Sequence, residues 1–198
     1  FATFLTCHGE MIPENLKFTL KKIKTLVPEI KKSIALEIGP GLAPIVSHLP
    51  FHTSYLVEQS KEMVRILSKR EKRKNVHYMV GDISKLPTSL PKVVDIIVMN
   101  EVLTHVRPTK RVSIVKKIAR MSSSLLIVER PRTTYTKFLQ TLYPLMEGSR
   151  TPQQQRDIYA TYTKVKPLIQ SLRSAGFAVE VTKVVSGETY SIIAARKN

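Results

Sequence analysis

Four short apolar runs in this chain each end in a residue that can bind or move a proton. Ile34, Ala35 and Leu36 lead into Glu37, and Gly39 and Gly41 follow at once. Tyr55, Leu56 and Val57 lead into Glu58; the run Val76 to Val80 leads through Gly81 into Asp82 and Ile83; and the run Val93 to Met99 leads into Asn100 and Glu101. Two closely spaced glycines let a backbone turn sharply and leave room for a ligand beside it. Glu58 lies 21 residues after Glu37, and an acid about 20 residues beyond a glycine turn is where a nucleotide-binding fold takes the ribose hydroxyls. His105 stands four residues after Glu101, which makes it a candidate general base, with Glu101 and Asn100 as polar neighbours.

Such groups act together only if their carriers bring the run ends to one edge. The runs are short, rich in β-branched residues and bounded by glycine or polar residues, which predicts strands buried on both faces of a parallel sheet. Between them the periodicity predicts helices over residues 43–49, 60–72 and 109–120, with Ser60 as an N-cap, and a leading helix over residues 16–26 ended by Pro28. A fifth strand starts near Leu125, a helix covers residues 164–175, and two strands, 176–181 and 190–195, close the chain around Gly187. Right-handed crossovers then predict an α/β doubly wound, Rossmann-like sheet, mostly parallel.

In order and spacing these strand ends resemble the class I S-adenosylmethionine-dependent methyltransferases, over nearly the whole chain. The resemblance implies seven strands with the last one antiparallel, and S-adenosylmethionine as cofactor. By position it implies that Glu37, Gly39 and Gly41 hold the amino acid part of the cofactor, Glu58 the ribose, and Asp82 with Ile83 the adenine end. Asn100 then belongs to both the cofactor and the acceptor side. The segment from Asn100 through Val106 is similar to the family's segment after the fourth strand, so Asn100, Glu101 and His105 are the expected catalytic set. Ala43 stands where the family often has a third glycine. The sulfonium methyl of such a cofactor is already activated, so the protein has to align the acceptor and, for some acceptors, remove a proton.

The 198 residues suffice for a single domain with a substantial core, and 42% hydrophobic content is that of a soluble globular chain. Residues 1–32 form a basic leading segment, and residues 129–163 are longer than a plain crossover needs, so they are expected to face a substrate or partner. Tyr135, Tyr143, Tyr159 and Tyr162 lie there among Arg130, Arg132, Lys137, Arg150 and Arg156, a mixture suited to stacking on bases beside phosphates. No apolar run is long enough for a membrane-spanning helix, and no metal site is expected. The single cysteine, Cys7, excludes an internal disulfide framework and points to a reducing compartment, cytoplasmic or mitochondrial. The chain begins at Phe1, which points to an upstream segment removed or left out.

Thirty-two Lys and Arg stand against 15 Asp and Glu, a formal net charge of +17. An excess this large predicts a polyanionic partner, RNA or a ribonucleoprotein. The cations fall in three groups: Lys17, Lys21, Lys22, Lys24, Lys31 and Lys32; Lys69, Arg70, Lys72, Arg73 and Lys74; and Arg107, Lys110, Arg111, Lys116, Lys117 and Arg120. No helix-turn-helix, zinc module or aromatic RNA-binding strand accompanies them. The adenine amino-methylation motif is missing, as are a cysteine pair for pyrimidine carbon methylation and a Lys-Asp-Lys-Glu set for ribose methylation. Three readings therefore stand: a methyltransferase acting on RNA or a ribonucleoprotein, a methyltransferase for a small acidic metabolite or lipid, and an inactive methyltransferase-like factor that binds RNA or assists ribosome assembly.

Overall fold

The computed structural model describes residues 13–129, 163–186 and 188–197. Helix α1 (Pro13–Leu26) and a 3-10 turn (Ile30–Lys32) precede β1 (Ile34–Ile38), a 3-10 turn (Val46–His48) and β2 (Thr53–Glu58). There follow α2 (Lys61–Arg70), β3 (Val76–Val80), β4 (Val94–Asn100), a 3-10 turn (Leu103–His105), α3 (Pro108–Ala119) and β5 (Ser122–Glu129). Helix α4 (Val165–Ser174) then leads to β6 (Phe177–Ser186) and β7 (Glu188–Lys197).

The strands form one seven-stranded sheet in the order β3-β2-β1-β4-β5-β7-β6. The pairs β2–β3, β1–β2, β1–β4 and β4–β5 are parallel, whereas β7 runs antiparallel to both β5 and β6. The doubly wound sheet with an antiparallel last strand is the architecture that the alternating runs and the family resemblance imply. Its central strands are apolar on both sides because both faces are covered. Leu36, Ile97, Leu125 and Ile127 pack with Ile114, Val115 and Ile118 of α3 and Leu168 and Leu172 of α4. On the other face Ala35, Ile96, Val98 and Leu126 pack with Ile23 and Val27 at the end of α1 and with Val46 and Phe51.

One expected helix is missing. Residues 43–49 make only the single turn Val46–His48, because Pro44 and Pro50 bracket the segment and the residue before each proline is pushed out of the α region. Ser60 does cap α2, accepting from the Met63 N–H at 3.3 Å, and so sets the chain's direction immediately after Glu58. Of the 129–163 segment, the described residues include only Glu129 and Thr163; Arg130, Arg132, Lys137, Arg150 and Arg156 and the four tyrosines lie outside them, as do residues 1–12 with Cys7. Among the described residues no helix is long and apolar enough to cross a membrane.

Replacing Ser60 with Ala should lower the unfolding free energy by about 1 kcal/mol, the usual cost of a lost N-cap. Urea denaturation of the two chains measures it; equal midpoints would mean that the cap carries no stability.

Candidate functional site

The strand order reverses between β1 and β4, which lie side by side with Ile38 opposite Met99. Ligands of open α/β sheets bind beyond the carboxyl ends of strands at such a reversal. The ladder register lines up the predicted residues there. Glu58 is opposite Val80, Val57 opposite Ile38, and Asn100 opposite Val128. The ladder runs on past the strand ends through Gly81 N–H to Glu58 O at 3.0 Å, Gly39 N–H to Val57 O at 2.8 Å and Glu101 N–H to Val128 O at 2.8 Å. Asp82, Glu58, the glycine loop and Asn100 with Glu101 therefore stand in a row along one edge.

The glycines have separate reasons. Gly39 has φ +65° and a Cβ there would lie 2.8 Å from Val102 Cγ2, so the loop and the segment after β4 touch at that point. Gly41 has φ +56°, and a Cβ would meet nothing within 4 Å. Among the described residues, the space in front of Gly41 is open.

Glu37 is 1% exposed. Its Oε1 accepts from the Ile45 N–H and its Oε2 from the Val46 N–H, both at 2.9 Å. The carboxyl expected to hold the amino acid part of a cofactor thus has both oxygens engaged by the backbone beyond the glycines and, unlike Glu58, almost no exposed surface, so its visible contacts are those that hold the loop. Burial pushes its pKa up to about 7, against the lowering effect of the two N–H groups.

Glu58 is half-buried. Its Oε2 accepts from the Gly41 N–H at 3.2 Å and its Oε1 from the Ser60 N–H at 3.0 Å, so it ties the glycine loop to the start of α2. A carboxylate has about four lone-pair sites, and Glu58 keeps capacity for two hydroxyls. Asp82 accepts from the Ser84 N–H at 2.7 Å and from the Ser84 hydroxyl, both on Oδ1, which holds its carboxyl below the usual range. Next to it, the Ile83 side chain is buried in the core cluster with Val57 and Leu90.

On the acceptor side, Asn100 has its side-chain oxygen buried without a hydrogen-bond partner. A buried acceptor left unpaired costs about 1–3 kcal/mol and marks a place where a donor belongs. Glu101 has φ +54°, a left-handed conformation rare for a residue with a side chain, and strain of this kind concentrates at functional sites. His105 ends the 3-10 turn and is exposed; its backbone N–H donates to Val102 O at 3.1 Å. Among the described residues no cluster of His, Cys, Asp and Glu forms a metal site.

The residue that sequence reasoning missed is Glu129. It ends β5 and is fully buried, with Oε1 accepting from the Leu103 N–H at 2.7 Å and Oε2 from the Thr163 hydroxyl at 3.1 Å. Burial pushes its pKa up to about 8. The signal was there, since the run Leu125 to Val128 ends in an acid as the first two runs do. Arg111, counted among the surface cations, is 5% exposed and donates from Nε to Val106 O at 2.9 Å, so it braces the turn after β4.

Residues 36–124 match the family described as "Methyltransferase domain". The fold is similar to that of magnesium protoporphyrin IX methyltransferase (ChlM) from Synechocystis PCC 6803 with bound S-adenosylhomocysteine: TM-score 0.69, 13% identity, 99% of this chain and 92% of that one covered. It is similar also to N-methyltransferase NodS from Bradyrhizobium japonicum WM9 in complex with S-adenosylhomocysteine, with TM-score 0.68, 14% identity and coverage of 98% and 94%. A third similar structure, the [4+2]-cyclase SpnF, has TM-score 0.66, 15% identity and coverage of 92% and 80%. No curated protein sequence matches the chain. At these identities the structural likeness speaks for the fold alone, and the cyclase illustrates that this fold supports other chemistry.

Glu37→Gln replaces one acceptor oxygen by a donor facing a backbone N–H. Stability should fall by about 1–3 kcal/mol, read as a lower Tm. The two buried acids also set a pH trend. Their native pKa values lie above the unfolded value of 4.5, so their stabilising contribution is complete below pH 4.5 and is lost as pH rises through about 7 and about 8. Urea midpoints measured from pH 5 to 9 should fall less steeply in Glu129→Gln than in the parent chain; parallel curves would mean that Glu129 is ionised throughout.

Proposed function

With residues 36–124 in a family of methyltransferase domains and the sheet around them in the class I methyltransferase topology, we infer that the chain is an S-adenosylmethionine-dependent methyltransferase. The observation that carries the reading is the orphaned Asn100 oxygen at the strand reversal, beside a glycine loop whose Gly41 faces space left open by the described residues. The residues suit the cofactor. Glu58 has lone pairs left for the ribose hydroxyls, Asp82 lies one strand further along the edge for the adenine end, and Asn100 offers an acceptor to the ammonium of the amino acid end. Glu37 holds the loop in place, and Ile83 contributes apolar packing from the core side.

When bound, the cofactor supplies a methyl group on a positively charged sulfur, activated for transfer. The chain's own residues do the positioning. The turn from Asn100 to His105 stands beside the loop through the Val102–Gly39 contact, which supports reading Glu101 and His105 as the acceptor-side pair. His105 is the group to take a proton from an acceptor that must lose one, and its exposure leaves it accessible to a large substrate.

The acceptor reading is RNA or a ribonucleoprotein, supported by the net charge of +17. Lys17, Lys21, Lys24, Lys31, Lys69, Arg70, Lys72, Lys74, Arg107, Lys110, Lys116, Lys117 and Arg120 are exposed. Some cations of these groups are committed: Lys22 pairs with Glu180 and Arg73 with Glu71. The second reading, a small-molecule acceptor, is favoured by the magnesium protoporphyrin IX methyltransferase among the similar structures. There the charge would steer an anionic substrate.

Calorimetry with S-adenosylhomocysteine should detect binding to the parent chain, about tenfold or more weaker in Glu58→Ala, and none in Gly41→Arg, whose side chain fills the open space. A parent chain that binds nothing would sink the enzyme reading in favour of the assembly factor. For the acceptor, affinity for a generic single-stranded RNA should fall steeply with salt, and replacing Lys72, Arg73 and Lys74 together should flatten that dependence. An unaltered slope, with labelled methyl passing to small anionic compounds instead, would favour the second reading.

A further inference from the structure

The open edge of the sheet holds two acids whose positions the cofactor reading does not use directly. Glu37 serves the glycine loop. Glu129 serves the opposite side, and its contacts reach further. It is the last residue of β5, with no exposed surface, and its two oxygens meet the Leu103 N–H at 2.7 Å and the Thr163 hydroxyl at 3.1 Å. The residue before it, Val128, accepts from the Glu101 N–H at 2.8 Å. Two consecutive residues of β5 thus grip the segment after β4 on both sides of Glu101, whose φ of +54° needs a surrounding structure that holds it. Between those grips stands Val102, with Cγ2 2.8 Å from the point where a Cβ on Gly39 would be. A shift of the segment therefore moves the wall of the glycine loop.

We propose that Glu129 is a positioning residue: its carboxyl, bonded at once to Leu103 and Thr163, sets the turn that carries Asn100, Glu101 and His105 against the glycine loop. The proposal rests on the reading of this edge as the cofactor and acceptor side of a methyltransferase. The neutral carboxyl would keep one oxygen accepting from Leu103 and turn the observed Thr163-to-Glu129 bond round, its hydroxyl donating to the Thr163 oxygen. On ionisation the proton leaves for solvent, both oxygens become acceptors, and Thr163 has to donate. A second negative charge then stands near Glu101. The charged groups that bear on Glu129 are Glu101, which raises its pKa, and Arg111 of α3, which lowers it; burial outweighs both and brings the value to about 8. Among the described residues the other groups against it are uncharged: Leu103, Thr163 and, opposite it on β7, Ser191. The turn therefore changes its hydrogen bonding in mildly alkaline solution.

Glutamine reproduces both bonds of the neutral acid, since its oxygen accepts from Leu103 and its amide donates to Thr163. This makes Glu129→Gln the decisive variant, and it avoids the folding defect that Glu129→Ala would bring. In the ¹⁵N-labelled chain without ligand, the Glu101 and Leu103 amide signals should move with pH about a midpoint near 8 and lose that transition in Glu129→Gln. His105 is present in both chains, so their difference isolates Glu129. Affinity for S-adenosylhomocysteine should fall about fivefold or more across the same transition in the parent and stay level in the variant. The same transition in both chains, or none in either, overturns the proposal, and so does an amide transition that leaves affinity unmoved. A parent chain that binds no S-adenosylhomocysteine overturns the functional reading instead, while the amide titration still decides whether Glu129 holds the turn.

Discussion

The candidate site depends on β1 and β4 lying side by side. The chain goes from β1 outward through β2 to β3, returns to the other side of β1 as β4, and continues outward through β5. At that reversal the segments leaving β1 and β4 meet at Gly39 and Val102, and the crevice beyond the strand ends is the natural ligand position of an open α/β sheet. The parallel register then does the rest. Because Ile38 is level with Val57 and Met99, and Asn100 with Val128, groups from five strands reach one edge without any long-range design beyond the ladder itself.

Keeping that edge in shape falls to buried carboxyls. Glu37, near the end of β1, accepts from two backbone N–H groups of the segment beyond its own strand, and Glu129, at the end of β5, accepts from one N–H of the segment after β4. A buried acid is costly, and an apolar residue would pack there more cheaply. What the acid provides is acceptors for N–H groups that irregular backbone leaves unpaired inside the protein. Glu58 does the same at the surface side of the glycine loop, with part of its capacity left over. The three acids thus divide into two that hold loops and one that both holds a loop and faces outward.

The fold, the family match over residues 36–124 and the orphaned Asn100 oxygen converge on cofactor-dependent methyl transfer. The charge carries a different kind of information. Helix surfaces facing water tolerate lysine, so an excess of cations leaves the fold untouched and speaks only about what approaches it. Arg111 shows the limit of counting: it belongs to a basic cluster in the sequence and braces a turn in the structure.

By itself the sequence determined the strands, their mostly parallel pairing and the edge on which Glu37, Glu58, Asp82 and Asn100 would meet, because apolar runs that end in acids or glycine report burial and chain reversal directly. It also placed the cap at Ser60. Tertiary structure alone decided what each acid does. Glu37 was legible as a candidate at a strand end, but that its oxygens face the Ile45 and Val46 N–H groups follows from where the loop folds back. Two prolines reduced the expected helix over residues 43–49 to one turn, a local signal that apolar periodicity outweighed. Glu129 showed the same pattern as Glu37, yet its meaning depends on Leu103 and Thr163, 26 and 34 residues away. Hydrogen bonds between distant segments leave no periodicity in a sequence, and so the chain could announce its buried acids without saying what they hold.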